Sequence, residues 1–139
     1  MFIQRQASGI SQIGCLDEAG VVSVWNIIDI QSYDVYKNDL HLNLNEKVRM
    51  NMSYSDNLNN YPEVVDYESD KMLGIELEFD PNEPTTFFFS TGEGLFRFDR
   101  SAQDAGPIKL DTLGLNSPTA LSMSDKGFLL AAYSCGSIT

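Results

Sequence analysis

The residues of this chain that could do chemistry are few and scattered. His41 is the only histidine. A Ser-His-Asp or Cys-His site would have to be assembled around it, in a polar, Asn-rich stretch that is a poor place to exclude water. No serine or cysteine lies in a G-x-S-x-G context that would lift a nucleophile onto a strained turn. His41 therefore reads as a solvated loop residue, and no catalysis is expected. Asp66, Glu68 and Asp70 stand at alternate positions, as calcium-loop ligands do, but Lys71 occupies the station that needs Gly and Leu77 the one that needs a bidentate Glu. They read as an acidic linker. Glu76 and Glu78 could pass for paired carboxylates, yet they fit equally well as the polar face of a strand. Cys15 and Cys135 have no second ligand near them in sequence, so the expectation is two reduced packing thiols, no metal and no disulfide. Gly92-Glu93-Gly94 is followed by a strand, whereas a phosphate-cradling loop needs a helix there. No cofactor is implied.

The elements that would have to position any site are hairpins. Ile13 to Ile27 reads I-G-C-L-D-E-A-G-V-V-S-V-W-N-I, two β-forming runs around Asp17-Glu18-Ala19-Gly20, a connection of hairpin length closing on Gly. Thr85 to Asp99 and Phe128 to Thr139 repeat the pattern. Aligned on Gly20, Gly94 and Gly136, the residues that follow are Val-Val-Ser-Val-Trp, Leu-Phe-Arg-Phe-Asp and Ser-Ile-Thr. Gly94 and Gly136 are separated by close to the ~40 to 45 residues of one WD-type propeller blade, and Gly20 and Gly94 by one such period plus an insertion. The expected fold is all-β, a partial WD40-type β-propeller of about two to three incomplete blades of antiparallel strands. Blades form rings of roughly four to eight, so this reading expects a fragment.

Residues 11–54 are expected to hold the end of one blade with an insertion. Its strands are Ser11 to Leu16, Val21 to Ile27 and an outer strand over Lys47 to Tyr54, and its first strand is expected to be absent. Met1 to Gly9 reads as a frayed start or the remnant of a preceding strand. Residues 55–70 read as an acidic, Asn-rich linker, most mobile over Ser55 to Glu63. Residues 71–110 form the second blade: Lys71 to Phe79 as its inner strand with Leu73, Ile75, Leu77 and Phe79 on one face, then Phe87-Phe88-Phe89, buried on both faces, and Gly106 to Leu110 as outer strand. Residues 119–139 form a truncated third blade. Tyr33 to Leu44 could hold a short helix.

With 20 Asp and Glu against 9 Lys and Arg, the net charge is -11 and no basic run occurs. Phosphate neutralisation needs clustered cations, so neither nucleic acid nor an anionic membrane surface is an expected partner. No stretch reads as a signal peptide or a membrane span, which leaves a cytoplasmic protein as the expectation.

The run Gly20-Val21-Val22-Ser23-Val24-Trp25 resembles the WD-repeat signature, with Asn26 where the family usually has Asp. Several segments in order are similar to the intermediate chains of cytoplasmic dynein, most of all the dynein-2 type that serves retrograde intraflagellar transport. They are L-D-x-x-G-V-V-x-V-W, D-L-x-L-x-x-x-x-K-V-R-M over Asp39 to Met50, F-D-P-N-x-P-x-x-F-x-x-S-T-x-x-G-L and a G-P-I strand. The second copy departs from the signature with Asp99 where Trp is usual. The resemblance implies a non-catalytic scaffold that binds the dynein heavy chain among other dynein subunits, at the cytoskeleton and cilium. The alternative is a WD-repeat adaptor of another complex, a ubiquitin ligase or a trafficking coat. Asp17, Gly20, Trp25, Gly94, Phe98 and Gly136 are its structural repeat positions, and Trp25 is expected to pack between neighbouring blades.

Overall fold

Where apolar and polar residues alternate, or β-branched and aromatic residues run together, the chain forms strands; among the described residues it forms no α-helix. The computed structural model describes residues 2–5, 11–29, 48–65, 74–102, 105–115 and 117–139. The strands are β1 (Phe2–Arg5), β2 (Ser11–Leu16), β3 (Val21–Asp29), β4 (Val48–Asn57), β5 (Gly74–Phe79), β6 (Thr86–Thr91), β7 (Gly94–Asp99), β8 (Ile108–Lys109), β9 (Pro118–Met123) and β10 (Leu129–Tyr133). They make three open antiparallel sheets. Sheet 1 has the order β1-β2-β3-β4, sheet 2 the order β5-β6-β7-β8, and sheet 3 is the β9-β10 hairpin, to which Ile138 adds a bridge opposite Ala132.

Cross-strand partners share a face, so the register assigns the faces. In sheet 1, Gly14 opposes Val24 and Leu16 opposes Val22. In sheet 2, Phe79 opposes Phe87, and Phe87 and Phe89 oppose Phe98 and Phe96. These two faces pack together: Val22, Val24, Leu77, Phe79, Phe87, Phe89, Phe96 and Phe98 form one buried cluster. Phe88 and Leu95, on the other face of sheet 2, pack with Leu121, Ala131 and Tyr133 of sheet 3. The Phe87-Phe88-Phe89 run is thus buried on both faces, between sheets 1 and 3.

Three expectations need correction. The first strand of sheet 1 is present: β1 pairs antiparallel with β2, from Phe2 opposite Gly14 to Arg5 opposite Ser11. Four residues are too few for alternation to show in sequence. The stretch 55–65 is tied down rather than a bare linker. β4 runs on to Asn57, and the 3-10 turns Leu58–Asn60 and Pro62–Val64 follow, with Leu58 and Val64 fully buried. These two anchors, spaced by polar residues, make no recognisable period. In β5 a register irregularity between Gly74 and Glu76 leaves Ile75 exposed, where strict alternation would place it beside Leu77. The expected helix over Tyr33 to Leu44 and the acidic residues 66–70 lie outside the described residues.

Candidate functional site

Of the repeat positions, the hairpin turns hold Asp17, Gly20 and Gly136, Gly94 opens β7 directly after its turn, and Trp25 and Phe98 lie within β3 and β7. Asp17 organises the first turn: its carbonyl accepts from Gly20 N at 3.1 Å and its Oδ1 from Val21 N at 2.7 Å. Gly20 has φ 81°, a conformation that costs other residues the Cβ clash glycine lacks. Gly94 and Gly136 also have positive φ, 142° and 87°. The turn onto β3 is fastened from outside, because Leu58 N donates to Gly20 O at 2.9 Å and Asn59 Nδ2 to Ala19 O at 2.6 Å.

The register revises the alignment of the second copy. Thr91 opposes Gly94 directly, so only Gly92 and Glu93 form that turn, against four residues between Leu16 and Val21. Counting from the turns, Phe98, opposite Phe87, stands where Trp25 stands opposite Ile13. Asp99 then falls at the station of Asn26, and the apparent loss of an aromatic residue in the second copy disappears. Phe98 is 3% exposed and its ring lies 5.2 Å from Phe87, 5.8 Å from Tyr61 and 6.4 Å from Tyr54. Trp25 belongs to the opposite face of sheet 1 and is only half-buried, outside both buried clusters. Its expected packing between neighbouring sheets is not found among the described residues, and Phe98 fills that role.

Among the described residues, no assembly of reactive groups emerges. His41, Asp66, Glu68 and Asp70 lie outside the described residues. Among the described residues no group of three His, Cys, Asp or Glu could hold a metal ion, and no helix is long and apolar enough to cross a membrane. Cys15 and Cys135 are free thiols. Cys135 is exposed, not packed as expected; the Ser137 hydroxyl lies 3.4 Å from its Sγ, and hydrogen bonds that Ser137 donates to the thiolate from its side chain and backbone draw the pKa below the usual thiol value.

What sequence reasoning missed is the polar stitching between sheets. Arg100 Nη2 donates to Gln12 Oε1 at 2.8 Å and to Pro84 O at 2.6 Å, and Gln12 Nε2 donates to Asn26 Oδ1 at 2.7 Å. This chain joins sheet 2 to sheet 1 beside the buried aromatic cluster. The only signal for it is that Asn26, at the Asp station of the signature, keeps an acceptor there. Tyr54 and Tyr61 both donate to Asp56 Oδ2, at 3.0 and 2.9 Å, and burial followed by the Asp56 hydrogen bond pushes the Tyr54 phenol up.

Glu78 makes the corresponding stitch to sheet 3. Its Oε1 accepts from Met123 N at 3.0 Å. Burial raises its pKa above the ordinary 4.5, and Glu76 raises it further against the opposing Met123 N–H. A carboxyl whose folded-state pKa is raised favours folding fully below its unfolded pKa, and that contribution is lost as pH rises through the folded value. Glu78→Gln keeps an acceptor for Met123 and removes the titration. In paired denaturant titrations, wild type should lose stability relative to Glu78→Gln as pH rises from the ordinary glutamate range toward neutrality. A difference independent of pH would contradict the burial of Glu78 between the sheets.

No protein-family model matches the chain, and no curated protein matches it. The class of protein that the geometry defines is an all-β chain of antiparallel sheets packed face on face, with aromatic contacts between them.

Proposed function

We propose that the three sheets are consecutive blades of a partial WD40-type β-propeller and that the chain is a non-catalytic scaffold, part of a dynein intermediate chain that binds the motor heavy chain in retrograde intraflagellar transport. The observation that carries the propeller reading is a face relation that repeats. Counted from their turns, the Gly14-Val24 and Phe88-Arg97 pairs occupy the same station in sheets 1 and 2. Each belongs to the face that meets the next sheet, and each next sheet answers with its opposite face. A stack built by one repeated relation is how blades succeed each other around an axis. The strand order in sheets 1 and 2, a simple meander, is that of a four-stranded blade.

Binding follows as the function because the described residues bring together no nucleophile, metal set or phosphate loop, while stacked sheets with two loop faces offer a rigid, wide contact surface. The step to dynein rests on the resemblance carried by Leu16 to Trp25, Asp39 to Met50, Phe79 to Leu95 and Gly106-Pro107-Ile108. Affinity purification of the tagged full-length protein from ciliated cells should recover dynein heavy and light chains. Recovery of ubiquitin-ligase or coat subunits without heavy chain would transfer the assignment to a different WD-repeat adaptor.

A further inference from the structure

We propose that Glu76, Glu78 and Ser90 hold a hydrated divalent cation of the Mg²⁺ class at the joint between sheets 2 and 3. The inference goes beyond the scaffold reading and does not depend on the dynein assignment.

The register places the three side chains together. Glu78 opposes Phe88 and Glu76 opposes Ser90, while Leu95 opposes Ser90 from the other side. Phe88 and Leu95 belong to the cluster between sheets 2 and 3, so Glu76, Glu78 and Ser90 share the face that meets sheet 3. Residues i and i+2 of a strand stand about 7 Å apart, and directly opposed Cβ atoms about 5 Å. One ion therefore sits within reach of both carboxylates and the hydroxyl.

Two carboxylates alone would define nothing on a wet face, but this face is covered. Glu76 and Glu78 are half-buried, and Glu78 Oε1 is fixed by Met123 N of sheet 3 at 3.0 Å, which leaves its second oxygen for a ligand. Like charges drawn together away from water repel unless a cation lies between them. Among the described residues no cationic side chain does so. Arg97, opposite Phe88 on the same face, is turned to Glu83 at 2.8 Å, and sheet 3 answers with Leu121, Met123, Ala131 and Tyr133.

Ser90 supplies a second, independent observation. It is 0% exposed, yet its Oγ has no hydrogen-bond partner. A buried hydroxyl left unpaired is costly, and this one lies directly across from Glu76. A cation held by the carboxylates takes the Oγ lone pair. Mg²⁺ binds through one or two carboxylates and keeps several waters, which fits a site short of three acidic, His or Cys ligands. The donors are all hard oxygens, which disfavours metals that seek thiolate or imidazole. Bound there, the ion ties β5 to β6 and, through Glu78 and Met123, sheet 2 to sheet 3.

The test titrates MgCl₂ into the full chain at constant ionic strength and follows thermal unfolding. About 10 mM Mg²⁺ should raise the wild-type midpoint by about 3 °C or more. Glu76→Gln keeps the shape of the side chain and removes one charge of the pair. Without Mg²⁺ its midpoint should exceed that of wild type, and its apparent affinity for Mg²⁺ should fall about tenfold. Ser90→Ala leaves both charges in place and should weaken the affinity about threefold. Mn²⁺, a paramagnetic stand-in, should broaden the amide signals of Glu76, Ser90 and Met123 before those of the exposed Asp111 and Asp125. A wild-type midpoint that Mg²⁺ does not raise would overturn the proposal. So would an equal rise in both variants, or broadening that begins at Asp111 or Asp125, since either assigns the ion to the diffuse surface charge of an acidic chain.

Discussion

Phe87→Ala is expected to lower the stability of the chain by about 3–5 kcal/mol, the range for deleting a buried aromatic ring that its surroundings cannot refill. Phe87 is fully buried on a central strand of sheet 2. Its ring lies 5.2 Å from Phe98, 6.1 Å from Phe89 and 6.4 Å from Phe79. Neighbouring rings cannot collapse into the space, because each is also buried in the same cluster and rigid sheets hold their backbones apart. The loss is a large fraction of the stability of an ordinary domain, about 5–15 kcal/mol. Trp25→Ala, at a half-buried position outside both clusters, should cost clearly less despite removing a larger side chain. Equilibrium denaturation of the two variants checks the order, and a larger loss from Trp25→Ala would mean that the aromatic weight of the fold lies on the other face of sheet 1.

Gly14→Val is the second large effect. Gly14 lies in β2 on the face that meets sheet 2, and a Cβ built on it falls 2.7 Å from Leu77 Cδ2 and 2.7 Å from Phe79 Cε2. Those atoms are side-chain ends, but Leu77 and Phe79 are 2% and 6% exposed and have no free volume to enter. The glycine has an ordinary extended backbone, and β-propensity alone would favour valine there. Any destabilisation therefore reports sheet-to-sheet packing. Overpacking of this kind costs about 1–3 kcal/mol, and more where the backbone must shift. Gly92 is the control, since a Cβ there meets nothing within 4 Å, and Gly92→Ala should change stability by about 0.5 kcal/mol or less. Equal effects at Gly14 and Gly92 would contradict the close approach of the two sheets.

The parts of this fold written in local chemistry were legible. Ser11 to Leu16 and Phe87-Phe88-Phe89 announce strands because β-branched and aromatic residues serve pleated, buried surfaces, and the paired turns announce themselves through Asp17 and the glycines. What depends on contact across the chain was not. β1 is too short to show a period, the two anchors Leu58 and Val64 are hidden among Asn and Asp, and the irregularity at Gly74 turns Ile75 outward against its alternation. Aligning the copies on glycine misplaced Phe98 by one residue, because turn length is a property of the hairpin that residue types alone leave open. The stitches from Arg100 to Gln12 and from Glu78 to Met123 join residues 88 and 45 positions apart, and nothing local marks them.

The propeller reading depends on sheets 1 and 2 meeting face to face at Gly14. The direct measurement is a nuclear Overhauser spectrum of the protein with Gly14, Leu77 and Phe79 assigned. The Gly14 α-proton that points where a Cβ would be should show cross-peaks to the Leu77 methyl and the Phe79 ring protons, with a ring-current shift from Phe79. Cross-peaks within β2-β3 and β5-β6 without any from Gly14 to Leu77 or Phe79 would show the sheets formed but not stacked, and would contradict the account.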